Sequence, residues 1–138
     1  MFAYYDYSLY DSASIVKVTL SSPIENDMDF DIFLLKWLEL YNNKKEFIFV
    51  FDTSGVGYIP LKYSLRMSIF IRNLKKQECQ YLQKSIIIVN SNIVKHMLNF
   101  IFMIQPPVAP VYITNDDKEV DDIINNRETP TMCILPRE

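Results

Sequence analysis

The sequence predicts one α/β domain built from alternating strands and helices. Three observations carry that prediction. The chain has 138 residues, enough for one domain and too few for two ordinary ones. It is 49% hydrophobic and 22% charged, a composition that builds a core rather than a disordered chain. Along it the apolar pattern changes repeatedly between short continuous or alternating runs and a helical 3.6-residue period. The only glycines are Gly55 and Gly57, too few for the many tight turns of a β-sandwich.

Residues 1–13 interleave Phe2, Tyr4, Tyr7 and Tyr10 with polar residues and read as an extended arm or edge strand. The alternation of Ile15, Val16, Val18 and Leu20 with Lys17 and Thr19 predicts a half-buried strand over residues 14–21. Asn26 or Asp27 then offers an N-cap to a helix over residues 28–41. Phe30, Phe33, Leu34, Trp37, Leu38 and Tyr41 share one face of it, and acidic residues occupy its first turn. Phe47, Ile48, Phe49, Val50 and Phe51 form an unbroken apolar run, as expected of a central strand with helices over both of its faces. Asp52-Thr53-Ser54-Gly55-Val56-Gly57 reads as the following loop, and Pro60 opens a second helix running to about Gln77.

A second buried strand is expected over residues 85–89, then a third helix capped by Asn90 or Ser91 and stopped by Pro106 and Pro107. Residues 108–114 hold a further strand, which Pro110 directs to an edge or bulge. Asn115 or Asp116 caps a last helix to about Asn125, and residues 131–135 suit a short strand between Pro130 and Pro136. The expected architecture is a mostly parallel sheet of four to five strands with helices packed on it. Residues 14–126 form the domain, and residues 127–138 a tail.

The segment from Phe47 through Asp52, Thr53, Ser54, Gly55, Val56 and Gly57 to Ile59 resembles the central motif of STAS domains, the SpoIIAA-like anti-sigma-factor antagonist family. There a hydrophobic strand ends in Asp, a Ser-Gly-Val-like loop follows, and a helix begins shortly after. The stretch Ser85, Ile86, Ile87, Ile88, Val89, Asn90, Ser91 is similar to the related STAS/Sec14-like group. The resemblance covers about residues 14–126 and implies a SpoIIAA-like fold. Phosphorylated members carry Asp-Ser-Ser-Gly where the second helix starts, so that the phosphate meets the helix N-terminus. The matching positions here are Pro60, Leu61, Lys62 and Tyr63, and Ser64 comes one turn too late. The resemblance therefore implies a module without the phosphoserine switch.

Charge and cysteine usage narrow the function classes. A net charge of −3 lacks the basic excess of a general nucleic-acid binder. Cys79 and Cys133, far apart and outside any CxxC, fit a reducing compartment. The first residues lack the basic start and apolar core of a signal peptide, so the expectation is a cytoplasmic chain. Three prolines interrupt the longest uncharged run, residues 97–115, which argues against a membrane span.

Each candidate site has a plainer reading beside it. Asp52, Thr53, Ser54, Gly55 and Gly57 stand at a strand's carboxyl end, where open α/β sheets bind ligands. The plainer reading is a turn in which Gly supplies unusual φ angles and Asp52 bonds to local amides. Lys62 and Arg66, one helical turn apart, can meet an acidic partner, an anionic lipid headgroup or RNA; an ordinary solvated helix face is the simpler explanation. His96 is the only histidine and has neither a second histidine nor a cysteine at metal spacing, so no metal and no cofactor is expected. The third helix is apolar nearly all round, with Phe100, Phe102 and Met103 available for an interface unless the core absorbs them.

Two functions from different classes follow. One is a non-catalytic module, regulatory or structural, that binds a protein partner or itself. The other is a Sec14-like carrier of a small ligand, lipid or nucleotide. An enzyme ranks third, since no spacing requires Asp52, Asp116 and Asp117 to cluster. The interaction module is the expectation carried forward.

Overall fold

The computed structural model describes residues 1–126 and 132–136. The chain runs β1 (Ala3–Asp6), α1 (Tyr10–Ala13), β2 (Ile15–Ser21), α2 (Asp27–Asn42), β3 (Phe47–Gly55), α3 (Leu61–Leu74), β4 (Leu82–Ile88), α4 (Asn92–Ile104), β5 (Val111–Thr114), α5 (Asp117–Ile124) and β6 (Met132–Ile134). The alternating α/β order is present, and the sheet has six strands rather than four to five. Strands β2 to β5 are parallel, while β1 and β6 join the two edges antiparallel. Pro130 and Thr131, expected to flank and begin the last strand, lie outside the described residues.

The strands stand in chain order across the sheet, β1-β2-β3-β4-β5-β6. When a sheet grows one strand at a time in one direction, right-handed crossovers place successive helices on the same face. Accordingly α2, α3 and α4 share one core with Phe47, Phe49 and Phe51. The row Tyr5, Val18, Phe51, Ile87, Ile113 crosses five strands beneath those helices.

The neighbouring row, Asp6, Lys17, Val50, Ile86, Tyr112, faces the other way. Among the described residues α5 is the helix that packs there, with Val120 and Ile123 against Ile48, Val50, Ile86 and Ile88. The expectation of helices over both faces of the central strand thus holds unevenly: three on one side and a single short one on the other. Lys17, at the β1 side of this face, is exposed, which is why β2 alternates while β3 is apolar from Phe47 to Phe51.

Side-chain caps set the helix starts. Asn26 Oδ1 accepts from the Asp29 amide at 3.0 Å, Ser91 Oγ from Ile93 at 3.1 Å, and Asp116 Oδ1 from Lys118 at 2.9 Å. Helix α3 stops at Leu74, three residues before the expected end. There Gln80 Nε2 donates to the Leu74 carbonyl at 2.8 Å and satisfies a terminal acceptor.

Candidate functional site

The carboxyl ends of the parallel strands bring two sequence-predicted segments together. Asn90 Nδ2 donates to Ser54 Oγ at 3.0 Å, tying the end of β3 to the start of α4. Asp52 Oδ1 accepts from the Ser54 amide, and Thr53 Oγ1 donates to the Ile88 carbonyl at 2.6 Å, so both polar side chains serve local structure. A polar hollow of about 310 Å³ lies beside them, lined by Asn90, Ser91, Asn92, Lys95, Thr114 and Asn115 among others. Asp52 to Gly57 do not line it.

The expected loop at 52–57 needs correction. Strand β3 continues through Asp52, Thr53 and Ser54 to Gly55. Neither glycine has a positive φ, so unusual backbone angles are not the reason for them. Gly55 answers a close approach instead: a Cβ there would stand 3.3 Å from the Leu20 carbonyl oxygen, where β2 and β3 shift register. Gly57 donates its amide to Ser22 Oγ at 2.7 Å.

The cations of α3 are engaged within the chain. Lys62 Nζ lies 3.2 Å from Asp27 Oδ1, and Arg66 pairs with Asp31 while its guanidinium stands 4.9 Å from the Phe30 ring centre. Tyr63 donates its hydroxyl to Asp27 at 2.8 Å. The Tyr63 hydroxyl and the Lys62 ammonium hold Asp27 below the usual carboxylate range. These contacts bind the first two turns of α2 to those of α3. The acidic residues read as dipole partners from sequence are therefore also cross-helix partners.

Outward, the helical layer exposes several apolar side chains among its polar and charged ones. Leu61, Leu65 and Ile69 form one exposed row along α3, with Ile69 49% accessible. Helix α4 adds Ile93, Ile104 and Met103, the last 75% accessible. The three α4 residues expected at an interface divide: Met103 is exposed, Phe100 is half-buried, and Phe102 packs against the core. The α3 row is not distinguished by the sequence alone, because basic residues alternate with its apolar members and the outward side depends on tertiary packing.

Inward, between this layer and the sheet, lies an apolar cavity of about 110 Å³. Its wall includes Trp37, Tyr63, Met67, Val94, Leu98 and Phe102, with the hydroxyl residues Thr53, Ser64 and Ser85 and no charged side chain. Trp37 is 6% exposed, and its indole Nε1 has no hydrogen-bond partner among the described residues. Sequence periodicity places Trp37 on the buried face but carries no signal for an unmet donor.

Comparison with family models, with curated proteins and with solved structures gave no match.

The remaining candidates stay apart. His96, Cys79 and Cys133 are each exposed. Among the described residues, no three His, Cys, Asp or Glu side chains gather where a metal ion would sit. No helix among them is long and apolar enough to cross a membrane.

Proposed function

We propose that this chain is a non-catalytic interaction module of STAS-like, SpoIIAA-like type. In this reading it docks a protein partner on the outward faces of α3 and α4, and a second copy of itself is the simplest such partner. The observation that carries the reading is the exposed apolar surface of these two neighbouring helices, Leu61, Leu65 and Ile69 with Ile93, Met103 and Ile104. Lys62 and Arg66 are already paired with α2, which leaves the face suited to apolar contact rather than to phosphate. Like-with-like apolar rows are self-complementary, as a two-fold interface requires. Ser64 is buried, and its carbonyl accepts from Ser68 Oγ at 3.0 Å; this agrees with a module lacking the phosphoserine switch.

The test is native mass spectrometry of the wild type beside Leu65→Asp and Met103→Asp. A discrete dimer in the wild type that becomes monomeric in both variants, with unchanged circular dichroism, is the expected result. Phe102→Asp is a poor probe, because it would place a carboxylate against the core. A wild-type monomer at tens of micromolar would count against self-association.

Small-ligand binding is the second reading, favoured by the apolar cavity. A cavity of about 110 Å³ is smaller than the roughly 150 Å³ that accommodates benzene in an engineered apolar site. An acyl chain or a nucleotide needs more room than this.

A further inference from the structure

We infer that the polar hollow at the carboxyl ends of β4 and β5 binds the phosphate group of a small phosphomonoester, with Lys95 as its cationic contact. This rests on the small-ligand reading above and moves it from the apolar cavity to the roomier polar one; different residues from those of the docking face carry it.

Topology and space point to the same place. Strands β2, β3 and β4 each lead at their carboxyl ends into a helix of one layer, α2, α3 and α4. Strand β5, the parallel neighbour of β4, leads instead into α5, which packs on the opposite face of the sheet. Between β4 and β5 the two connections therefore part, and such a parting opens the crevice in which open α/β sheets bind ligands. The hollow of about 310 Å³ lies there. Asn90, Ser91, Asn92 and Lys95 line it from the first connection, Thr114 and Asn115 from the second. Its volume reaches the lower end of the roughly 300–1,000 Å³ typical of small-molecule sites.

The chemistry of the wall selects the ligand. Several of its groups are committed within the protein: Asn90 Nδ2 donates to Ser54 Oγ, Ser91 Oγ accepts from the Ile93 amide, and Thr114 Oγ1 donates to Glu119 Oε2 at 2.7 Å. The side chains of Asn92, Lys95 and Asn115 make no hydrogen bond or ion pair among the described residues. They leave one ammonium and two amides to meet a ligand. No carboxylate lines the hollow; Glu119 is held by Thr114, and Asp116 caps α5. A phosphate monoester brings three acceptor oxygens and nearly two negative charges to such a set, more than a carboxylate offers. The first turn of α4 borders the hollow and adds to the preference for negative charge.

Ribose 5-phosphate and ribose are matched probes that differ by the phosphate. Each is titrated into the full chain to millimolar concentration and followed on the backbone amide signals by NMR. Ribose 5-phosphate is expected to shift Asn90, Asn92, Lys95 and Asn115, and ribose is not. Lys95 is exposed, so Lys95→Gln leaves the fold intact. It should weaken ribose 5-phosphate roughly two- to fivefold, the worth of one charge pair at an exposed site. Lys17→Gln removes the same charge from an exposed position on β2, two strands from β4, and should leave the affinity unchanged. The inference is overturned if ribose 5-phosphate leaves these amides unmoved, or if ribose shifts them as strongly. It is equally overturned if Lys95→Gln weakens binding no more than Lys17→Gln does. Shifts confined to Leu98, Val108 and Ala109, which line the apolar cavity, would overturn this site while small-ligand binding itself stands.

Discussion

Gly55 and Gly57 stand two residues apart and make different demands on the chain. A Cβ at Gly55 meets the Leu20 carbonyl at 3.3 Å, a backbone atom held in the sheet, whereas at Gly57 it meets only Ser22 Oγ at 3.5 Å. Both have ordinary φ. Gly55→Ala should therefore lower stability by about 1 kcal/mol, and Gly57→Ala should leave it equal or raise it by about 0.4–1 kcal/mol through the unfolded chain. Urea denaturation of the two variants checks this, and a reversed order would refute the account of Gly55. Two tyrosines supply a pH dependence. Burial pushes the Tyr41 hydroxyl up to about 12, and burial with the nearby Tyr7 and Glu39 raises Tyr5 further above its ordinary value of 10.0. Folding thus favours the protonated phenols. Their contribution is complete below pH 10 and is lost as pH rises through about 12. Melting temperature should fall above pH 10, and less steeply in Tyr41→Phe; identical slopes would assign the loss elsewhere.

Helix ends were readable because their chemistry is local. A hydroxyl, carboxylate or amide standing just before an apolar period is enough to place a cap, and Asn26, Ser91 and Asp116 each accept the bond expected of one. Asn26→Ala should cost about 1 kcal/mol in urea denaturation, with no change of fold by circular dichroism. Where α3 ends was not readable. Its stop depends on Gln80, six residues beyond Leu74, folding back onto a free carbonyl. The pairing of Lys62 with Asp27 and Arg66 with Asp31 was equally hidden, because each pair joins residues about 35 positions apart. Exposed pairs of this kind add little stability, about 0–1 kcal/mol each. Their larger consequence is to pair two surface cations with carboxylates of α2.

At the scale of the whole molecule, the N-terminal segment belongs to the core. Phe2 and Tyr5 are buried, Tyr5 donates its hydroxyl to the Phe33 carbonyl at 2.7 Å, and Ser21 donates its amide to the Phe2 carbonyl. Deleting residues 1–7 removes an edge strand and uncovers Phe33 and part of β2. Stability should fall by about 3–5 kcal/mol or more, judged from the loss of even one large buried aromatic. A truncated chain that melts within a few degrees of the full one would contradict this.

What the sequence by itself determined is the alternation of strand and helix, the burial of Phe30, Phe33, Trp37 and Tyr41 on α2 though not that of Leu38, which is exposed, and the apolar strand at the centre. These follow from periodicities of two and 3.6 residues and from caps, all acting within one turn or a few residues. The tertiary structure alone decided that three helices share one face and that β3 runs on to Gly55. It alone also decided that Trp37 lines a void with its donor unmet. Each of these depends on which distant residue arrives beside another, and such meetings follow from crossover direction, register and residual space in the packed interior. No local pattern encodes them.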